Sequence, residues 1–97
     1  MTHDEIIELL SLGETQKIEF KASWRNVDAM GKTICSFLNT SGGYLIIGIE
    51  DNGTILGIEN TQNIQKFEEE IIKKLAPKAL VSFEEQIKKK KKVWIVE

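Results

Sequence analysis

The sequence predicts a mixed α/β (α+β) fold, with a largely antiparallel sheet and about three helices packed on it. Three observations carry this. Segments with apolar residues at helical spacing are interspersed with short strand-like segments. Residues 44–49 are nearly all apolar, as expected of a central strand. Asp51-Asn52-Gly53 then stops that run with residues that tolerate the positive φ of tight turns.

The element order reads helix, strand, helix, hairpin, helix, hairpin. Thr2-His3-Asp4-Glu5 has the form of a capping box, a hydroxyl at the cap and a carboxylate three residues on. Ile6, Ile7, Leu9 and Leu10 make the first helix amphipathic, and Gly13 ends it. Residues 17–23 alternate, with Ile18, Phe20 and Ala22 on one face and Lys17, Glu19 and Lys21 on the other. Asn26 caps a second helix over about 27–38, whose apolar positions are Val27, Met30, Ile34, Phe37 and Leu38. Residues 39–43 break it. Residues 44–49 and 54–58 are expected to pair as a hairpin, with Gly48 and Gly57 at close approaches. Ile64, Phe67, Ile71, Ile72 and Leu75 stripe a third helix that Pro77 ends. Strands over 79–87 and 93–96 then meet through the lysine run 88–92.

Ninety-seven residues suit one domain spanning 1–97, and 41% hydrophobic content is that of a globular chain. No segment approaches the roughly 20 apolar residues of a membrane span, so no membrane partner is expected. The acidic start is unlike a secretory signal. A single cysteine, Cys35, excludes an internal disulfide and fits a cytoplasmic location. The final VWIVE reads as a strand, so truncation at the C-terminal end is expected. Net charge is −2, but residues 1–65 carry 4 basic and 9 acidic groups and residues 66–97 carry 9 and 6. A polyanion would need a local basic surface rather than a basic protein.

Several constellations carry candidate chemistry. Gly31-Lys32-Thr33 resembles the end of a phosphate-binding P-loop, but Asn26 stands where that pattern needs glycine, and 27–30 reads as helix. ATP is therefore not supported as a cofactor. The loop Asn39, Thr40, Ser41, Gly42 and Gly43 reads as a helix cap; the sharper alternative is a backbone N–H cradle for an anion. Lys88, Lys89, Lys90, Lys91 and Lys92 form either a solvated tip or a flexible arm on phosphate. No aromatic interrupts them, so the run offers no stacking platform. Glu14, Glu19 and Asp51 could meet if their strands are neighbours, and three carboxylates suit a hard divalent cation. On spacing alone, the simpler assignment pairs Glu19 with Lys17 or Lys21 and gives Asp51 to the turn. His3 lacks a catalytic partner, Cys35 reads as a buried structural thiol, and no second Cys or His exists for zinc.

Taken together, GETQKIEFKAS and KTICSFLNTSGGYLIIGIEDNGTILGIEN resemble the Schlafen AlbA_2 domain, formerly called divergent AAA-4. The matching parts are Glu14 with Glu19-Phe20-Lys21, residues 36–43, and residues 48–51; the helix at 64–75 also fits. The likeness covers roughly residues 9–77 and implies a mixed α/β fold that binds nucleic acid, DNA or RNA. Bacterial and archaeal members often head longer proteins called transcriptional regulators, so a further domain is implied. Eukaryotic relatives include RNA endonucleases with a three-carboxylate site, which falls here on Glu14, Glu19 and Asp51, with Lys21 beside the second glutamate. Those nucleases duplicate the module, so a single copy encloses a substrate only if two chains pair.

Three functions follow as expectations. The first is a nucleic-acid-binding module of a transcriptional-regulator-like protein. In it Lys17, Lys21, Arg25 and the arm Lys88, Lys89, Lys90, Lys91 and Lys92 meet phosphates, and both ends of the 44–49 strand border one functional surface. The second is an endoribonuclease holding Mg²⁺ or Mn²⁺ on Glu14, Glu19 and Asp51. The third is an oligomerisation or sensor domain, a homodimer pairing through an edge strand at 93–97.

Overall fold

The computed structural model describes residues 8, 11–13, 17–39, 42–59, 62–75, 81–88 and 91–97. Four strands and two helices run in the order β1 (Ile18–Lys21), α1 (Val27–Leu38), β2 (Tyr44–Ile47), α2 (Ile64–Ile72), β3 (Phe83–Lys88) and β4 (Lys91–Val96). The described residues thus delineate two helices rather than about three. Glu8, Ser11 and Leu12 are helical, while the capping box at residues 2–5 lies outside the described residues. The sheet order is β1-β2-β4-β3. β1 and β2 are parallel, with α1 as the crossover between them. β4 runs antiparallel to both β2 and β3, which makes the sheet mixed.

The hairpin expected between 44–49 and 54–58 does not form as a ladder. β4 occupies that position, and the 54–58 segment forms isolated bridges, Ile49↔Ile55 and Ile58↔Lys92, in place of a ladder. Backbone geometry explains this. Gly48 and Gly57 have φ of 100° and 82°, which no extended strand sustains. The Gly48 carbonyl accepts from both Leu56 N–H and Gly57 N–H, closing a local loop. Gly57 passes so near β4 that a Cβ there would sit 2.9 Å from Lys91 Cβ. The expected turn does form: Gly53 N–H donates to Glu50 O at 2.8 Å, and Asn52 Oδ1 accepts from Thr54 N–H at 2.9 Å. Because β4 is paired on both sides, residues 93–97 are not an edge. Among the described residues the outer strands are β1 and β3.

Alternation across the sheet builds two cores. Leu45, Ile47, Trp94 and Val96 face α1 and α2, where Met30, Ile34, Phe67 and Ile71 meet them. Ile18, Phe20, Ile46, Ile49, Val93 and Ile95 form the opposite cluster. Runs buried on both faces explain why β2 and β4 read as continuously apolar. Of the expected helical stripes, Leu38 and Ile72 fall outside the core, at 43% and 54% exposure. Each follows a core-facing neighbour, Phe37 or Ile71, by one residue, and one residue turns a helix about 100°. Asn26 caps α1 by accepting from Ala29 N–H at 3.2 Å, and Asn63 caps α2 by accepting from Gln65 N–H at 2.8 Å. The helices approach at Gly31, where a Cβ would lie 3.3 Å from Lys74 Cβ. There Lys74 Nζ reaches Asp28 at 2.7 Å; the hydrogen bond and charge of Lys74 hold the Asp28 carboxyl below its usual range. No helix among the described residues is long and apolar enough to cross a membrane.

Candidate nucleic-acid interface

Parallel pairing brings the carboxyl ends of β1 and β2 to one side of the sheet, where Lys21 is opposite Ile47. The row continues through Trp94 to Glu85, so Lys21, Ile47, Trp94 and Glu85 share the helix-side face. Strands sit about 4.8 Å apart, which places Lys21 and Trp94 roughly 10 Å apart along the row. The Lys21 carbonyl ties the strand ends together by accepting from Gly48 N–H and Ile49 N–H at 2.7 and 3.2 Å. Beyond this junction, Ala22, Glu50, Asp51 and Asn52 line a shallow open depression.

The candidate carboxylates are only partly brought together. β1 and β2 are neighbours, the condition the three-carboxylate reading required. Glu19, however, lies 3.7 Å from Lys21 Nζ as an ion pair, and Asp51 opens the turn. Glu14 lies outside the described residues. Among the described residues, no three His, Cys, Asp or Glu side chains form a metal-holding group.

The candidate cations separate. Lys21 sits at the carboxyl edge, and Arg25 follows it in the exposed stretch before α1, 3.9 Å from Glu59. Lys17 is exposed at the amino end of β1, where its carbonyl accepts from Tyr44 N–H. Lys88 ends β3, and Lys89 and Lys90 lie outside the described residues. Lys91 and Lys92 belong to β4 rather than to a free arm. Lys91 Nζ donates to Ile55 O at 3.2 Å. Lys92 is more deeply engaged: its side chain is 12% exposed, and Nζ donates to Gln62 O at 2.8 Å and lies 3.5 Å from Glu85 Oε1. That oxygen also accepts from Trp94 Nε1 at 3.0 Å. Lys92→Met should therefore destabilise the fold by about 1.5–3 kcal/mol, the range for hydrogen bonds to charged groups. Lys91→Met should cost well under half of that in parallel urea titrations. Equal effects would contradict this division.

The Gly-Gly loop answers to packing. Gly42 N–H donates to Phe37 O at 3.0 Å, and Asn39 N–H to Cys35 O at 3.1 Å, completing the end of α1. A Cβ on Gly43 would lie 2.7 Å from Phe37 Cδ1 and 2.8 Å from Lys17 O. Thr40 lies outside the described residues. The loop adjoins the amino end of β2 and Asp51 follows its carboxyl end, so the two ends of this strand face opposite edges of the sheet. Gly31-Lys32-Thr33 lies inside α1, its N–H groups committed to the helix. Cys35 is a free, half-buried thiol.

Sequence reasoning missed the aromatic side of this edge. Trp24 is half-buried against the helix-side core, its ring centroid 6.5 Å from that of Trp94. The Arg25 guanidinium lies 5.7 Å from the Trp24 centroid. The available signal was a tryptophan beside an arginine within the polar stretch Ser23-Trp24-Arg25-Asn26. Its partner Trp94, seventy positions on, is legible only from β4's place in the sheet.

Comparison with known proteins agrees with this geometry at the level of fold. The family model described as Schlafen, AlbA_2 matches residues 14–97. An uncharacterized ATP-binding protein of Ureaplasma parvum is 41% identical over 58 residues, covering 55% of this chain and 16% of that protein. The crystal structure of the DIP2311 protein from Corynebacterium diphtheriae superposes with a TM-score of 0.69 at 22% identity, over 96% of this chain and 24% of that one. The chain thus spans well under a third of either protein.

Proposed function

Since the chain belongs to the Schlafen AlbA_2 family, we propose that it is a nucleic-acid-binding module within a longer, cytoplasmic, transcriptional-regulator-like protein. The observation that carries this reading is that Lys21 and Arg25 stand at the carboxyl ends of two parallel strands on the same edge as the Trp24–Trp94 pair, with Arg25 over Trp24. Both cations are held only loosely, by carboxylates at 3.7 and 3.9 Å, Lys21 on half-buried and Arg25 on exposed ground. Such surface pairs are weak and screened, so a phosphate can displace either carboxylate. Lys17, Lys88, Lys89 and Lys90 supply further charges to the contact, whereas Lys92 supports the fold.

Affinity for a labelled RNA hairpin and a duplex DNA should weaken by at least about tenfold between roughly 50 and 200 mM salt. Replacing both Lys21 and Arg25 by alanine should lower the slope of log K against log salt by about 1.5. A salt-independent affinity, or an unchanged slope in the double variant, overturns the assignment. Comparing the two nucleic acids decides between RNA and DNA.

The adjacency of β1 and β2 also favours a second reading, a metal-dependent endoribonuclease. Glu19 and Asp51 do not make a metal site alone, so this reading depends on Glu14. Glu19→Gln should then abolish Mn²⁺-dependent cleavage of the RNA hairpin while leaving the circular dichroism spectrum unchanged. Equal cleavage by the variant removes Glu19 from the chemistry.

A further inference from the structure

A cleft lies between Trp24 and α2. Trp24 forms its accessible wall, Phe67 and Trp94 lie deeper, and Gln62, Asn63 and Lys66 line it with them. The Trp94 ring packs against both of the others, with Phe67 5.1 Å and Trp24 6.5 Å away, centroid to centroid. Most of the lining is apolar and aromatic, and two cations flank it. Arg25 lies over Trp24, and Lys66 makes no ion pair among the described residues. The backbone of Gln62 is fixed, its N–H donating to Glu59 O and its carbonyl accepting from Lys92. Its side-chain amide has no hydrogen-bond partner among the described residues. Glu70 adds a carboxylate acceptor to the same lining.

We propose that this cleft holds one unpaired nucleobase, stacked on Trp24, with its phosphate between Arg25 and Lys66. The inference rests on the nucleic-acid reading above and deepens it by naming the ligand group. An aromatic wall suits any base because every base has a π-face. An amide and a carboxylate at the rim suit the polar edge of a base, and two cations suit the phosphate it carries. An apolar peptide side chain would match the wall but engage neither cation, leaving Arg25 on its weak pair with Glu59 and Lys66 to solvent. The same chemistry comes from two sources, a single-stranded polymer or a free nucleotide.

The only two tryptophans of the chain, Trp24 and Trp94, both line the cleft, so intrinsic fluorescence reads the site directly. The chain would be titrated with a single-stranded RNA hexamer, an abasic hexamer of equal charge, and adenosine monophosphate. Quenching by the RNA, with about tenfold weaker binding of the abasic hexamer, is the expected result. Trp24→Leu should remove that difference, and Trp24→Phe should restore most of it. Quenching by the mononucleotide alone keeps the base site and overturns the polymer reading. Equal affinity for RNA and abasic hexamers, or binding without quenching, overturns the base site and leaves the polymer reading standing. No binding in any arm overturns both.

Discussion

Phe67→Ala should lose about 3–5 kcal/mol of stability, the range for an aromatic truncated in a packed core. Phe67 is 3% exposed and anchors α2 to the sheet. Its ring lies 5.1 Å from Trp94 and meets Phe83 edge-on at 6.1 Å. Few other side chains can fill the space, because α2 contributes only Phe67 and Ile71 as fully buried residues. Domains of this kind hold only about 5–15 kcal/mol in total. The variant should therefore melt on the order of 20 °C lower or fail to fold. Thermal unfolding followed by circular dichroism checks this. A loss below about 1 kcal/mol would show that α2 is not anchored through Phe67.

Gly43→Ala should destabilise by about 1–3 kcal/mol, the cost of overpacking. The new Cβ would meet Phe37 Cδ1 at 2.7 Å, Phe37 Cε1 at 2.8 Å and Lys17 O at 2.8 Å. The phenyl ring can turn aside only by leaving its place against the core. The carbonyl cannot yield, because it accepts from Tyr44 N–H at 2.7 Å and so sets the parallel register of β1 on β2. Gly42→Ala is the contrasting case. Its Cβ would meet nothing within 4 Å, so its cost comes from the φ of 94° alone. Urea midpoints of the two variants separate these causes. If Gly43→Ala is as stable as the parent, the close approach is not what demands glycine there.

Much of the fold was legible because local chemistry fixes it. Alternation in β1, the Asn26 cap, the helical stripes and the Asp51-Asn52-Gly53 turn each follow from neighbours in sequence. Gly48 and Gly57 read correctly as close approaches, with Gly48 lying against Lys92 O and Gly57 against Lys91. The partner of β2 did not read correctly. A strand buried on both faces shows no alternation, and its apolar run cannot say which other apolar run lies beside it. The nearby 54–58 segment looked like the partner, but the more distant β4 buries more and keeps an unbroken ladder. The lysine run failed for a related reason. Five identical residues carry no facial pattern, so only the register of β4 distinguishes the solvent-facing Lys91 from Lys92 under Trp94. The family's motif residues located the β1–β2 edge, but the tryptophans that give that edge its shape lie outside those motifs.

The most direct test of the account is to locate a bound nucleic acid on the fold. Isotope-labelled protein would be titrated with the single-stranded RNA hexamer while backbone amide and indole N–H resonances are followed. Shifts are expected to concentrate at Lys21, Trp24, Arg25 and Lys66, together with the Trp24 indole N–H. Shifts confined to the exposed face of α1 around Lys32 and Ser36, or to the Gly42-Gly43 edge, would contradict it.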